Sequence, residues 1–131
     1  MRRILIALIA LVPVTGCGDE SHTGVSYTVV TTATHDCAKG PNVSIDTIDG
    51  TFTFTNMCER ILVKGGNNKV TIEAAKRIDV DGGKNVIEVG AVDMIRANGV
   101  GNTIKFKNKG VTRKTPDVVA TGDNTSLFQS D

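Results

Sequence analysis

The residues of this 131-residue sequence whose type and spacing best suit acid–base catalysis are three aspartates: Asp79, Asp81 and Asp93. Asp79 and Asp81 stand two positions apart, so on a strand both carboxylates would face one side, roughly 7 Å from each other. That separation suits the paired acids of an enzyme that cleaves polysaccharides. The positions seventeen residues earlier hold Leu62 and Lys64, so no column of carboxylates is expected. The simpler interpretation is therefore that these charges alternate along an exposed strand, where they hinder pairing of the sheet edge with another chain.

The candidates for nucleophilic catalysis, phosphate binding or a metal site are weaker. His35 lies beside Cys37, which is expected to be oxidised, and no serine occupies a G-x-S-x-G motif. The GGNNK segment at Gly65 lacks the spacing of a phosphate-binding loop. The glycine-rich turns contain too few carboxylates for a calcium site. The sequence therefore predicts no catalytic residue, no cofactor and no metal, with a carbohydrate-active enzyme as the alternative.

The sequence contains one marked cluster of positive charge. It consists of five cations within ten residues, with no acidic residue among them. They are Lys105, Lys107, Lys109, Arg113 and Lys114. If these cations share one face, they could bind an anionic partner such as lipopolysaccharide phosphates, an acidic glycan or an acidic protein. A solvated loop that serves only solubility is the competing interpretation. Nucleic acid is not expected as a partner, because the chain has few aromatic residues for base stacking.

The start of the sequence has the features of a secretion signal that ends at a lipid-modified cysteine. Arg2 and Arg3 precede an apolar run over 4–12, which is shorter than the roughly 20 residues of a membrane-spanning helix. The following V-T-G-C segment resembles the lipobox of bacterial lipoproteins, which implies a diacylglycerol on Cys17. Gly18 after this cysteine favours the periplasmic face of the outer membrane. An ordinary secretory signal, with an unmodified cysteine, is the alternative.

The predicted organisation is a removed signal peptide over 1–16, a tether over 17–24 and a single domain over 25–131. Removal of Arg2 and Arg3 reduces the 15 basic residues to 13, against 14 acidic ones. A net charge near zero gives no general attraction to nucleic acid or to an anionic membrane.

Cys37 and Cys58 then remain as an even pair in an oxidising compartment, for which a disulfide is the default expectation. Closing a loop of this length would stabilise the fold by roughly 3 kcal/mol in the chain-entropy model. A metal site is the rival interpretation, but two isolated cysteines lack the further ligands that zinc requires.

A repeat of seventeen residues indicates how the domain is built. Asn68, Asn85 and Asn102 each follow a glycine-containing turn and each precede two apolar residues in strand alternation. A constant period of this kind is typical of a solenoid. The asparagines are expected to stack, each amide bonding to its equivalent one coil away. Asn124 is expected to recover the same turn position after a longer loop over 107–116.

The predicted fold is all-β: a small right-handed parallel β-helix of about four to five coils. An antiparallel β-sandwich is the alternative. The first coil should be offset by one residue, and Val25–Thr34 should form a strand that covers the N-terminal end. At the other end, Val119 should continue an inner apolar column and Phe128 should close the core.

The signal, the paired cysteines and the G-x-x-N-x-V-x-I repeats together resemble bacterial lipoproteins that contain the domain of unknown function 3060. The resemblance spans roughly 37–128. It implies the repeat architecture and secretion, but no activity and no functional residues. The sequence therefore predicts a non-catalytic, lipid-anchored envelope protein that binds another envelope component or a protein partner, with an immunity or inhibitor lipoprotein as one form.

Overall fold

The computed structural model describes residues 24–28 and 30–130. The predicted signal peptide, the lipid attachment at Cys17 and nearly all of the predicted tether lie outside these residues. Within the described part, the regular elements are all β-strands. They are β1 (Val25–Tyr27), β2 (Thr32–Asp36), β3 (Asn42–Ile48), β4 (Thr51–Gly66), β5 (Lys69–Val80), β6 (Val86–Ala97), β7 (Thr103–Lys107), β8 (Asp117–Ala120) and β9 (Ser126–Ser130).

Every pairing between these strands is parallel, and each strand lies on the equivalent segment of the next coil. The order is β1-β3-β4-β5-β6-β7-β9, with β2 on β4 and β8 on β6. Val70 pairs with Ile87, and Ile87 pairs with Ile104, so successive coils stack at the predicted period. The chain thus forms a parallel β-solenoid of about four coils. The predicted solenoid is confirmed, and the antiparallel sandwich is excluded.

The burial pattern along one coil shows where the backbone turns its corners. The buried residues of β5 are Val70, Ile72, Ala75, Ile78 and Val80. Steps of two residues keep successive side chains on the inner face of a straight segment. The two steps of three residues mark corners. At a corner the backbone turns, so the next inward-facing side chain comes after three residues instead of two. The small residue Ala75 fills the interior between these corners, a position that alternation alone does not predict.

Valine and isoleucine fill most of the interior, as expected from a sequence with few aromatic residues. Burying one such side chain stabilises a fold by roughly 1.5–3 kcal/mol relative to leaving it in water. The buried apolar residues are Cys37, Val43, Ile45, Phe52, Phe54, Cys58, Ile61, Val63, Val70, Ile72, Ala75, Ile78, Val80, Ile87, Val89, Val92, Ile95, Ala97, Ile104 and Phe106.

The offset of the first coil arises from one extra residue at a β-bulge. β4 pairs with β5 at a spacing of 18 residues up to Phe54 and of 17 from Met57 onward. Asn56 lies between them with a φ of 62°, a left-handed conformation that asparagine tolerates better than most residues. Its backbone N–H donates to the Glu73 carboxylate at 2.8 Å, and its Nδ2 donates to Asp36 at 2.6 Å. The bulge therefore absorbs the extra residue without shifting the coils that follow.

Val25–Thr34 lies at the N-terminal end of the strand order, as predicted, but it does not form the single covering strand that was expected. This segment contributes β1 and the beginning of β2, which stack in parallel on β3 and β4 and so belong to a coil. Its apolar residues continue the inner columns of the solenoid. Tyr27 packs with its ring centroid 5.5 Å from that of Phe52 and 6.3 Å from that of Phe54.

The last coil contains the predicted long loop, but its register differs by one residue from the prediction. β6 and β8 pair residues 23 positions apart instead of 17, so the loop inserts six residues. Ala120, and not Val119, continues the inner column, and Val119 is 44% exposed. Phe128 does not close the core, because it pairs with Lys105 on the outer face and is 55% exposed.

Candidate functional site

Asn68, Asn85 and Asn102 form a buried hydrogen-bonded column along the turn side of the solenoid. Asn85 Oδ1 accepts the Asn68 backbone N–H at 3.0 Å and its Nδ2 at 3.1 Å. Asn102 Oδ1 accepts the corresponding bonds from Asn85 at 3.0 and 3.2 Å. The predicted stacking of equivalent amides is confirmed. This column is structural, because its amides satisfy backbone groups that the coil buries.

Asn124, the fourth predicted turn asparagine, lies one position away from this column. The β7–β9 pairing places Thr125 on Asn102. The Thr125 hydroxyl donates to the Gly99 carbonyl at 3.4 Å, as the Asn102 amide does to the Gly82 carbonyl at 2.9 Å. Asn124 belongs instead to the left-handed residues that come directly before the column. These are Asp49, Asn67, Lys84, Gly101 and Asn124, with φ between 57° and 73°.

The predicted disulfide between Cys37 and Cys58 is confirmed. Both cysteines are buried, and the bond joins the residue after β2 to β4 on the next coil. Among the residues that the structure describes, no group of three or more histidine, cysteine, aspartate or glutamate side chains could hold a metal ion. The two cysteines therefore serve to tie adjacent coils together.

Asp79, one of the three candidate acids, is held between two guanidinium groups. Its Oδ2 accepts Nε–H bonds from Arg60 at 3.0 Å and from Arg77 at 2.9 Å, and its side chain is 14% exposed. Asp81 is the next outward residue of the same chain segment and is exposed. Both arginines therefore bind the same oxygen of the Asp79 carboxylate.

Asp93, the third candidate acid, holds the inserted loop in place. It is only 6% exposed. Its Oδ1 accepts the backbone N–H groups of Val111 at 2.7 Å, Thr112 at 2.8 Å and Arg113 at 3.1 Å. Its Oδ2 accepts the Thr112 hydroxyl at 2.5 Å. One buried carboxylate thus fixes three consecutive residues of the loop that carries most of the candidate cations.

These hydrogen bonds also decide the pKa of Asp93. Burial by itself would raise the pKa, because it removes the charged form from water. The hydrogen bonds from the Thr112 hydroxyl and from the three backbone N–H groups outweigh burial and lower the pKa from 3.8 to about 2. Asp93 is therefore an anion at every physiological pH, which suits a structural anchor better than a proton donor.

The five candidate cations divide between a strand face and a loop: Lys105 and Lys107 lie on β7, while Lys109, Arg113 and Lys114 lie in the loop that follows. All five are exposed. Lys105 Nζ is 3.8 Å from the Glu88 carboxylate, and an Arg113 amino group is 4.0 Å from Asp117. Exposed ion pairs at these distances are weak. The cations thus remain available to a partner.

Two features of this surface were not predicted from the sequence, although the residue spacing could have indicated one of them. Arg60 and Arg77 are one repeat apart and so stack, and Asp79 follows two positions after Arg77 on the same outer face. The spacing alone could have indicated this cluster. The binding of the loop by Asp93 had no such signal, because its partners lie in the inserted segment, outside the repeat.

The chain is thus a parallel β-solenoid with a disulfide and a polar turn column. No helix among the described residues is long and apolar enough to span a membrane. The family model described as a protein of unknown function (DUF3060) matches residues 45–88 and also residues 63–124. These matches span more than half of the sequence, and the chain belongs to that family.

The two family matches reflect the internal repeat of the chain. They begin at Ile45 and Val63, which are register partners on adjacent coils, so the second match starts one coil later. No curated protein and no solved structure gives a significant match to the chain. The description of the family names no activity.

Proposed function

We propose that this chain is a non-catalytic, lipid-anchored binding protein of the bacterial envelope, which presents a fixed basic loop to an anionic envelope component or partner protein. The observation that carries the proposal is the binding of the loop by Asp93. Three backbone N–H groups and one hydroxyl converge on this single carboxylate. A loop that only supplied solubility would not need to be ordered in this way.

Pre-ordering lowers the cost of binding. A flexible loop loses conformational freedom when it contacts a partner, and that loss reduces the affinity. In this chain Lys109, Arg113 and Lys114 extend from a loop that the fold has already ordered. Their charges also steer an anionic partner toward this corner of the solenoid, an effect that weakens with increasing salt.

The engagement of the acidic residues supports a binding role over catalysis. Asp79 is bound by two arginines, and Asp93 is bound by the loop. An acid that cleaves a glycosidic bond needs a raised pKa, whereas the pKa of Asp93 is lowered to about 2.

The lipid anchor at Cys17 is tested by replacing this cysteine with serine in the full-length chain. If the anchor is real, the wild-type chain fractionates with membranes and the Cys17→Ser chain does not. Partition of the wild-type chain between inner and outer membranes then tests the proposed outer-membrane location. A Cys17→Ser chain that still fractionates with membranes would contradict the anchor.

The basic loop is tested by neutralising its three cations together, as Lys109→Gln, Arg113→Gln and Lys114→Gln. Binding is measured to lipopolysaccharide micelles and, separately, to an acidic polysaccharide. The matched control neutralises three exposed lysines elsewhere: Lys39, Lys64 and Lys69. We expect the loop variant to lose about tenfold or more in affinity, since charged contacts contribute 1.5–3 kcal/mol each. Equal losses in the two variants would show that only bulk charge matters and would refute the proposal.

A second variant separates the charge of the loop from its order. Asp93→Asn keeps every cation but removes the ionised acceptor that fixes Val111–Arg113. We expect weaker binding to the same micelles, together with a larger loss of affinity in high salt than the loop variant shows, because the cations of the loop are still present. Unchanged binding by Asp93→Asn would show that the order of the loop does not contribute.

A further inference from the structure

A second polar surface lies on the outer face of the first coils, away from the basic loop. Three neighbouring parallel strands, β1, β3 and β4, border a pocket of about 260 Å³. Arg60, Asn42, Ser44 and Ser26 contribute its polar side chains, and Leu62 contributes an apolar wall. The lining contains one cation and three neutral hydrogen-bonding groups, and none of the described residues that line it is acidic.

The stacking of the coils explains why the pocket exists. The register places Ser26 on Ser44 and Ser44 on Leu62, while Asn42 lies on Arg60. Gly24 precedes β1 at the edge of the pocket. A Cβ atom at Gly24 would lie 2.4 Å from the Asn42 carbonyl oxygen, so the backbone there approaches too closely for any side chain. The glycine thus allows the two backbones to approach each other at the edge of the pocket.

Arg60 is oriented by a partner outside the pocket. Its Nε–H is occupied by Asp79, which Arg77 also binds from the adjacent coil. A guanidinium group has five N–H donors, and the Nε contact uses one of them. In the part of the chain that the structure describes, the two terminal amino groups of Arg60 donate to no protein acceptor. They remain available to a ligand at the pocket, and the side chain is 44% exposed.

The arrangement of donors indicates the shape of the ligand. A planar carboxylate is matched by the planar fork of one arginine. Here the donors come from three strands: guanidinium N–H groups from β4, an amide and a hydroxyl from β3, and a hydroxyl from β1. Such a three-dimensional set suits an anion with oxygens in several directions. We propose that this pocket binds a phosphate group, supplied as the free ion or as the phosphate monoester of a polyol or headgroup.

The proposal does not rest on the lipid anchor or on the basic loop, and its test is separate from theirs. The isotope-labelled full-length chain in detergent is titrated with inorganic phosphate, and the backbone amide resonances of Ser26, Asn42, Ser44 and Arg60 are followed by NMR. We expect saturable shifts confined to this pocket. Glycerol 3-phosphate and acetate are titrated in parallel, and we expect acetate to bind at least tenfold more weakly than phosphate.

Two variants decide whether Arg60 forms the site. Arg60→Gln is expected to weaken phosphate binding by about tenfold or more. Lys69→Gln removes the same charge from an exposed position on β5 and is expected to change the affinity by less than twofold. The amide spectrum away from the substitution shows whether each variant keeps the fold, and Arg60→Lys serves as the replacement if Arg60→Gln does not fold.

The relative affinities for these ligands show which kind of phosphate the pocket binds. Tighter binding of glycerol 3-phosphate than of inorganic phosphate assigns the site to a phosphorylated polyol or headgroup, and the reverse order assigns it to the free ion. The proposal is overturned by an absence of saturable shifts in the pocket or by equal affinities for acetate and phosphate. Equal losses in Arg60→Gln and Lys69→Gln would also overturn it, because they would indicate only the bulk charge of the chain.

Discussion

Asn85 illustrates at the scale of one residue how the solenoid satisfies its buried polar groups. Its Oδ1 accepts two bonds from Asn68, and its Nδ2 donates to Asn102 at 3.2 Å and to the Gly65 carbonyl at 3.4 Å. One side chain therefore connects three coils and the turn between them. Removing it leaves several of these groups buried and unsatisfied, and each of them then loses its bond without regaining water.

We expect Asn85→Ala to lower the free energy of unfolding by about 2–4 kcal/mol, since each unsatisfied buried group costs roughly 1–3 kcal/mol. Urea denaturation followed by circular dichroism measures this loss. The control is Asn108→Ala in an exposed loop position, which should change stability by less than about 0.5 kcal/mol. Similar effects of the two substitutions would mean that the asparagine column does not stabilise the fold.

Asp93 makes the stability of the chain depend on pH in a defined direction. Its pKa in the folded chain is about 2, below its ordinary value of 3.8. A lowered folded-state pKa means that the ionised group stabilises the fold above about pH 4, and that this contribution disappears as the pH falls toward about 2. The loop and the carboxylate should therefore separate only under strongly acidic conditions.

The comparison of wild type with Asp93→Asn tests this dependence. At pH 5 the variant should be less stable by about 1–3 kcal/mol, because the charged acceptor of three backbone bonds is lost. The difference should shrink as the pH is lowered from 4 to 2, measured by urea denaturation at each pH. A difference that stays constant over this range would contradict the assigned role of the carboxylate.

At the scale of the element, each coil is closed by a residue in the left-handed conformation. Asn67, Lys84 and Gly101 occupy this position on three successive coils, with φ of 59°, 58° and 73°. Residues other than glycine adopt this conformation at an energetic cost, roughly 1–2 kcal/mol without compensating contacts and less for asparagine. Lys84 is the residue least suited to it, because it lacks the local hydrogen bonding of asparagine.

Lys84→Gly is therefore expected to stabilise the fold, by up to about 1 kcal/mol. The same substitution at Lys69, an exposed strand position, should destabilise the fold by roughly 0.5–1 kcal/mol, because glycine loses more backbone freedom there. Thermal denaturation of both variants shows whether each substitution raises or lowers the stability of the fold. Destabilisation by glycine at both positions would show that the backbone at Lys84 is not strained.

The elements also show what residue types could and could not predict. Alternating valine and isoleucine identified the inner faces at Val70 and Ile87, because a straight strand has a period of two. The buried position of Ala75 was missed, since the steps of three residues at the corners on either side of it break that period. Asn124 was predicted to belong to the asparagine column because of its residue type. Thr125 occupies that position instead, because a hydroxyl can donate the same bond to a backbone carbonyl.

At the scale of the whole molecule, the repeat made the architecture predictable and left the functional surface largely unpredicted. Stacking one coil on the next fixes the neighbours of every residue that obeys the period, as for Ile87 and Ile104. The contacts of Asp93 lie outside this rule, because the inserted loop has no equivalent on other coils. The pocket at Arg60 depends on β1, for which the residue pattern indicated only a strand that covers the end of the solenoid.

The in-register parallel stacking of the coils determines the neighbours of the asparagine column, the basic loop and the Arg60 pocket. Nuclear Overhauser effects between backbone protons of β5 and β6 test it most directly. Parallel stacking predicts contacts that keep a constant offset of seventeen residues along both strands, as between Thr71 and Glu88 and between Asp79 and Arg96. Offsets that shrink steadily toward a turn would show antiparallel hairpins and would contradict the solenoid.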